Sequence, residues 1–244
     1  MRIEIVALST LPQVRRGDDL AALIRDAAKK ERQPLDTSVL LAVAQKIVSK
    51  AEGAIADLRE IRPSALAMTW ANECGKDPRL IELILSQSRR IIKMDRSVLI
   101  TETHLGYVCA NAGVDQSNVE SDDFATILPK DPDASAARLR KELGCGAVIV
   151  TDTFGRPWRE GLVDVAIGVA GFAPLEDYRG SVDLRGRKLT GTIVAVADQL
   201  AAAAGILMRK PAGFPVVLMR GFEWKAAEGS ARALIRSPEQ DLFR

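Results

Sequence analysis

DASAARLRKELGCGAVIVTDTFGRPWR, residues Asp133 to Arg159, sets a helix signal and a strand signal back to back. Asp133 is placed to cap a helix over Ala134–Leu143, which Gly144 stops. Ala147–Val150 is a short apolar run bounded by turn residues, the pattern of a buried strand. It leads directly into Thr151, Asp152 and Thr153.

The same alternation continues outward on both sides. Toward the N-terminus, Ser97–Glu102 and Tyr107–Ala110 read as strands joined by a turn at His104–Gly106. Asp77-Pro78 starts a helix running to about Gln87, and Pro63-Ser64 starts one ending near Gly75. Val39–Ala44 is a further buried strand, Gly17-Asp18-Asp19 a turn and cap before a helix of about ten residues, and Arg2–Leu8 a strand. Toward the C-terminus, Val165–Ala170 and Pro215–Met219 read as strands around a long helix, Thr192–Met208. The expected class is α+β (mixed α/β). With no repeat, low-complexity tract or linker, residues 1–244 are expected to form a single domain, with room for two subdomains.

Composition narrows the function. Of 244 residues, 34 are Lys or Arg and 32 Asp or Glu, a net charge of +2 that gives no reason to expect a nucleic-acid binder. Cys74, Cys109 and Cys145 lie far apart, which fits a reducing compartment and argues against both a disulfide framework and a cysteine-based zinc site. His104 is the one histidine, so no two-histidine metal motif exists, and a structural role is expected for it. The most apolar stretch carries Asp198 and Gln199 in its middle, so no membrane span is expected. The N-terminus does not resemble a signal peptide, and a cytoplasmic protein is expected.

Neither a P-loop nor a dinucleotide fingerprint is present. Two polar segments follow apparent strands: Asn111–Asn118, with Asp115, and Thr151–Arg159, with Asp152. Asp115, Asp152 and the Thr153 hydroxyl offer hard oxygens of the kind magnesium or manganese takes. Equally, Asp115 and Asp152 suit turns or caps. Lys46, Ser49 and Lys50 beside Gly53 suit phosphate binding, or a solvated basic loop. Arg156 and Arg159 could hold an anion or simply face solvent.

Taken together, these segments resemble the coenzyme F420-0:L-glutamate ligase family, whose members extend the tail of a deazaflavin cofactor. The resemblance is carried by LPQVRRGDDL, QKIVSKAEG, GYVCANAGVDQSN, LPKDPDASAARLR and VIVTDTFGRPWREG. It continues through DVAIGVAGFAPLEDYRG, VDLRGRKL and ADQLAAAAGILM, in family order over nearly the whole chain. NAGVDQSN and TDTFGRPWR carry most of the specificity.

The resemblance implies a GTP-dependent ligase using a divalent metal, Mg2+ or Mn2+, and often a monovalent cation such as K+. It implies transfer of L-glutamate to the lactyl-phosphate tail of coenzyme F420-0 through an acyl phosphate, releasing GDP and phosphate. Further gamma-linked glutamates could follow. By the same resemblance, Asp115 and Asp152 match ligands of a first metal and Thr153 a ligand of a second. Lys50 and Asn118 match nucleotide contacts, as do Gln45 and Lys46, where other members carry different residues. Asp115, Asp152 and Lys50 are then the catalytic set. Leu11, Pro12, Gln13 and Val14 match an N-terminal nucleotide loop acting through its backbone.

Met208, Arg209, Lys210, Pro211, Ala212, Gly213 and Phe214 match the other nucleotide loop. Some relatives carry there an acid that holds the second metal, whereas this chain has Arg209 and Lys210. The resemblance also implies an intertwined homodimer. Two alternatives stay open: a related amide ligase with another acceptor or amino acid, and a nucleotide-binding relative without ligase activity. A metal-dependent phosphatase is a third.

Overall fold

A computed structural model describes residues 2–95, 97–208 and 213–241. The chain begins β1 (Glu4–Ala7), α1 (Leu20–Lys30), β2 (Leu40–Ala44), α2 (Gln45–Ala51), β3 (Ile55–Asp57), α3 (Ala65–Cys74) and α4 (Pro78–Ser86). Next come β4 (Ser88–Asp95), β5 (Val98–Thr103), β6 (Val108–Ala110), β7 (Phe124–Thr126) and α5 (Pro132–Leu143). The remainder is β8 (Ala147–Arg156), β9 (Arg159–Ala170), β10 (Glu176–Asp177), β11 (Ile193–Val194), α6 (Val196–Gly205) and β12 (Val216–Arg220). The class is α+β, as the sequence pattern predicts.

The main sheet has the order β1-β12-β2-β8-β9. Only β2 and β8 run parallel; the other neighbours are antiparallel. Apolar side chains cover both faces. Leu41 and Val43 of β2 point into one core with Ile24 of α1 and Leu139 of α5, while Leu40 and Ala42 join Ala197, Leu200 and Ala201 of α6. Successive strand residues alternate faces, so a strand buried on both sides must read as an uninterrupted apolar run, as LLAVA does. Fully burying one such leucine is worth about 1.5–3 kcal/mol.

A separate apolar cluster lies between residues 58 and 125, with Leu58, Trp70, Ile81, Ile84, Leu99 and Ala125. It unites α3 and α4 with the β4-β5-β6 and β3-β7 sheets. Local caps place these helices as the sequence predicts: Ser64 accepts from Ala67 N and Asp77 from Arg79 N, while Gly75 turns left-handed (φ 68°) at the end of α3.

Several expectations are corrected. Asp131, not Asp133, caps α5, accepting from Ala134 N at 3.0 Å, because Pro132 serves as the first helical residue. Asp133 instead turns inward and accepts from Val169 N (2.8 Å), Ala231 N (2.9 Å) and Ser230 Oγ (2.6 Å). The helix predicted over Thr192–Met208 starts only at Val196, since β-branched Ile193 and Val194 pair with Asp177 and Glu176. Gln45–Ala51 forms a helix rather than a loop. Finally, β8 and β9 are one long hairpin, so Asp152 and Thr153 sit within a strand and not beyond its end. Among the described residues, no helix is long and apolar enough to cross a membrane.

Candidate functional site

Four chain segments leave the main sheet at one end. Ala44 stands opposite Thr151 in the parallel β2–β8 pairing, and Ala44 N donates to Pro215 O at 2.8 Å. Leu8 N donates to Val216 O at 2.9 Å. The loop after β1, the start of α2, the outer half of β8 and the segment before β12 therefore converge.

In the N-terminal loop, the Val14 side chain is buried in the core and Leu11 packs against it, while Pro12 and Gln13 are exposed. Gly17 N donates to Ala51 O at 3.0 Å and ties the residues that follow to the end of α2. Met208 Sδ lies 3.7 Å from Thr151 Oγ1, which places the start of the 208–214 segment beside β8. Gly213 is left-handed (φ 65°) and Phe214 half-buried; Arg209, Lys210, Pro211 and Ala212 lie outside the described residues.

Helix α2 sorts its polar residues by face. Gln45 is buried, and its Oε1 lies 2.8 Å from the Ser49 hydroxyl, which is also 2.7 Å from Ile127 O. Lys46 and Lys50, four residues apart, share the other face. Lys46 Nζ is 2.7 Å from Asp115 Oδ2 and donates to Ser117 O at 3.1 Å as well as to its hydroxyl. Lys50 Nζ donates to Asn118 O at 2.5 Å; Asn118 itself is left-handed (φ 58°) with an exposed side chain. Burial, and then the charge of Lys46, lower the pKa of Lys50.

The acids differ sharply. Asp115 is fixed by backbone pairing with Thr126 and accepts from Ser117 N at 2.6 Å. Burial works against its charged form, but the bonds from Lys46 and Ser117 prevail and hold its pKa below the usual range. For Asp152, desolvation dominates, with the charges of Asp115 and Asp164 adding to it, and the pKa is pushed up to about 7. Thr153 N is its one hydrogen-bond donor among the described residues, and no cation there pairs with it.

Thr153 faces Asp164 across the hairpin, its hydroxyl donating to Asp164 Oδ1 at 2.6 Å. Sequence reasoning missed Asp164. Counting back from the Pro157-Trp158 turn fails because the register shifts between Gly155 and Arg156, so a regular hairpin count puts the wrong residue opposite Thr153. Ser117, the residue that orients both Lys46 and Asp115, was also missed.

Among the described residues, no three His, Cys, Asp or Glu side chains converge as a metal cage. Asp115 and Asp152 nonetheless form an electrostatic pair, and Asp152 is a desolvated carboxylate that makes no ion pair among the described residues, although the charge of Lys46 acts on it. Two carboxylates with water and phosphate oxygens are a donor set that magnesium accepts. The residues present fit a phosphate-borne divalent ion better than a protein-caged one.

The remaining candidate residues are held by other contacts. His104 Nε2 is 3.0 Å from Ser86 O and links the β5–β6 turn to α4, in keeping with a structural role. Arg156 and Arg159 flank the hairpin turn, with Arg156 Nη2 donating to Glu160 O. Burial, and the charge of Asp152, push the Cys109 thiol up to about 12, which disqualifies it as a nucleophile.

Comparison with known proteins gives a consistent result. A family profile described as F420-0:Gamma-glutamyl ligase matches residues 9–221. The chain is similar to the coenzyme F420:L-glutamate ligase of Methanothermobacter thermautotrophicus, 46% identical over 252 residues and 100% of both chains. It is 48% identical to that of Methanopyrus kandleri over 254 residues, covering 100% of this chain and 98% of the relative. With that of Methanocaldococcus jannaschii the identity is 40% over 251 residues, covering 100% and 97%.

Proposed function

The chain belongs to the F420-0:gamma-glutamyl ligase family, and from that membership we propose a GTP-dependent enzyme that joins L-glutamate to the lactyl-phosphate tail of coenzyme F420-0. The supporting observation is the convergence of Lys46 and Lys50 with Asp115 and Asp152 at one end of the sheet. A carboxylate attacking a γ-phosphate brings anions together, so cations must neutralise charge and hold the partners in line.

In this reading, the tail carboxylate attacks the γ-phosphorus and GDP leaves, giving an acyl phosphate. The glutamate amine then attacks the acyl carbon, phosphate departs, and the amine proton passes to solvent. Lys50 and Lys46 bind phosphate oxygens, and the backbone of Leu11–Val14 and the 208–214 segment are assigned as further nucleotide contacts. Asp115 and Asp152 would hold Mg2+ or Mn2+, which supplies charge neutralisation at the transferring phosphoryl group. Asp164 beside Thr153 is the acid available for a second cation, divalent or K+, in a chain whose 208–214 segment has none.

Exposed Trp158 (79%) and Leu162 (61%) on the β8–β9 hairpin, with Leu184 between β10 and β11, support a homodimer that covers them. Sedimentation as a monomer at micromolar concentration would remove the dimer.

The direct test is mass spectrometry of a reaction holding GTP, manganese, L-glutamate and unglutamylated deazaflavin. A product heavier by one or more glutamyl residues, dependent on both GTP and metal, is the expected outcome. GTP hydrolysis without added mass would overturn the ligase reading.

A further inference from the structure

Beside Asp115 a cleft of about 450 Å³ opens between the start of α4 and the segment after β6. That size is typical of small-molecule sites. Its lining carries both signs of charge. Asp115 is one lining residue, its carboxylate already held by Lys46 Nζ at 2.7 Å. Lys76 is another, and its ammonium donates to Ser97 O and has no carboxylate partner among the described residues. The neighbouring Asp77 does not neutralise it, because Arg79 Nη2 already holds that carboxylate at 2.6 Å.

Leu80, Ile84 and Val114 supply an apolar part of the lining. Two amides complete the lining. Asn111 accepts from Leu99 N through its Oδ1, and Gln116 donates to Asp122 O through its Nε2. The Asn111 amide nitrogen and the Gln116 amide oxygen therefore keep hydrogen-bonding capacity for a ligand.

We propose that this cleft receives the incoming amino acid and selects an α-amino acid with a second carboxylate on a short methylene chain. This inference rests on the ligase reading above and specifies its amino-acid subsite. Lys76 pairs with the side-chain carboxylate, the apolar wall packs the methylenes, and the amino end points toward Asp115, where the activated acyl group is supplied. Lys76 is thereby a specificity-determining residue, separate from the lysines of α2.

The test uses the full-length protein with Lys76→Gln and Lys76→Arg, and two readouts. In steady-state ligation, Lys76→Gln is expected to raise the glutamate KM at least tenfold with kcat and nucleotide KM nearly kept, and Lys76→Arg to recover most of the loss. In equilibrium dialysis with labelled L-glutamate, Lys76→Gln is expected to abolish measurable binding, while retained GTP binding reports an intact fold. An unchanged glutamate KM, or a rise confined to the deazaflavin acceptor, overturns the inference. Lys76-dependent glutamate binding by a protein that does not ligate would sink the ligase reading and keep the subsite. Absence of both binding and ligation in the unmodified protein overturns both.

Discussion

Asp164 closes against the backbone of Gly205: a Cβ built at Gly205 would lie 2.2 Å from Asp164 Oδ2. Helix α6 thus braces the carboxylate that accepts the Thr153 hydroxyl at 2.6 Å. Gly205→Ala must move either the helix or the carboxylate, at an expected cost of about 1–3 kcal/mol, together with at least a tenfold loss of ligation. Asp164→Ala should relieve the clash without restoring activity. Denaturant unfolding of the two single variants and the double variant checks this, and additive destabilisation would contradict it.

Asp152 is expected to trade stability for function. Its folded pKa of about 7 lies above the unfolded value of 3.8, so the folded state holds the proton more tightly. Stability then falls as pH rises from about 4 to 7, and the full penalty persists above that. Asp152→Asn should therefore be more stable than the parent at pH 8, by up to about 4 kcal/mol less whatever solvent contact screens. The advantage should vanish near pH 4. Ligation should drop by at least about a hundredfold, because charge is lost where transition-state charge develops. Wild-type turnover in this variant would remove the assignment of Asp152 as a metal ligand.

Among the described residues the Lys50 ammonium donates to a backbone carbonyl, Asn118 O, and makes no ion pair, so its charge is not committed to an acid in the resting protein. Lys50→Ala is expected to weaken GTP binding about tenfold, the loss of one charge-assisted contact. His104→Ala, which removes the link to Ser86 O, should leave ligation within about twofold. Calorimetric titration with GTP separates the two, and equal affinities for parent and Lys50→Ala would exclude Lys50 from the nucleotide site.

Asp133 accepts from three donors in two other segments: Val169 N, Ala231 N and Ser230 Oγ. Asp133→Ala should cost about 2–4 kcal/mol, because two backbone N–H groups lose their partner in a partly buried setting. Urea unfolding measures it, and a change under about 0.5 kcal/mol would show that water replaces the carboxylate.

Helix starts and buried strands were legible in the sequence because their signals are local. Asp19, Ser64 and Asp77 each cap a helix within one turn, and LLAVA is apolar without interruption because both faces of β2 are covered. The same local logic failed at Asp133, where a proline one residue earlier shifted the helix start and freed the carboxylate for distant partners. It failed also at Ile193–Val194, where pairing with β10 outweighed a helical continuation.

The lysines of α2 and the acids at positions 115 and 152 carried enough motif to be singled out one by one. Their meeting depends on pairings between residues far apart in the chain: Ala44 opposite Thr151, and Lys46 against Asp115. Neither contact leaves a periodicity in the chain. The facing of Thr153 and Asp164 depends on a register shift near the hairpin turn, and that Lys76 has no carboxylate partner among the described residues depends on Arg79 occupying Asp77. Local propensity reaches about one helical turn along the chain, whereas charge and desolvation act through space, so only the assembled sheet could bring these groups together and set their pKa values.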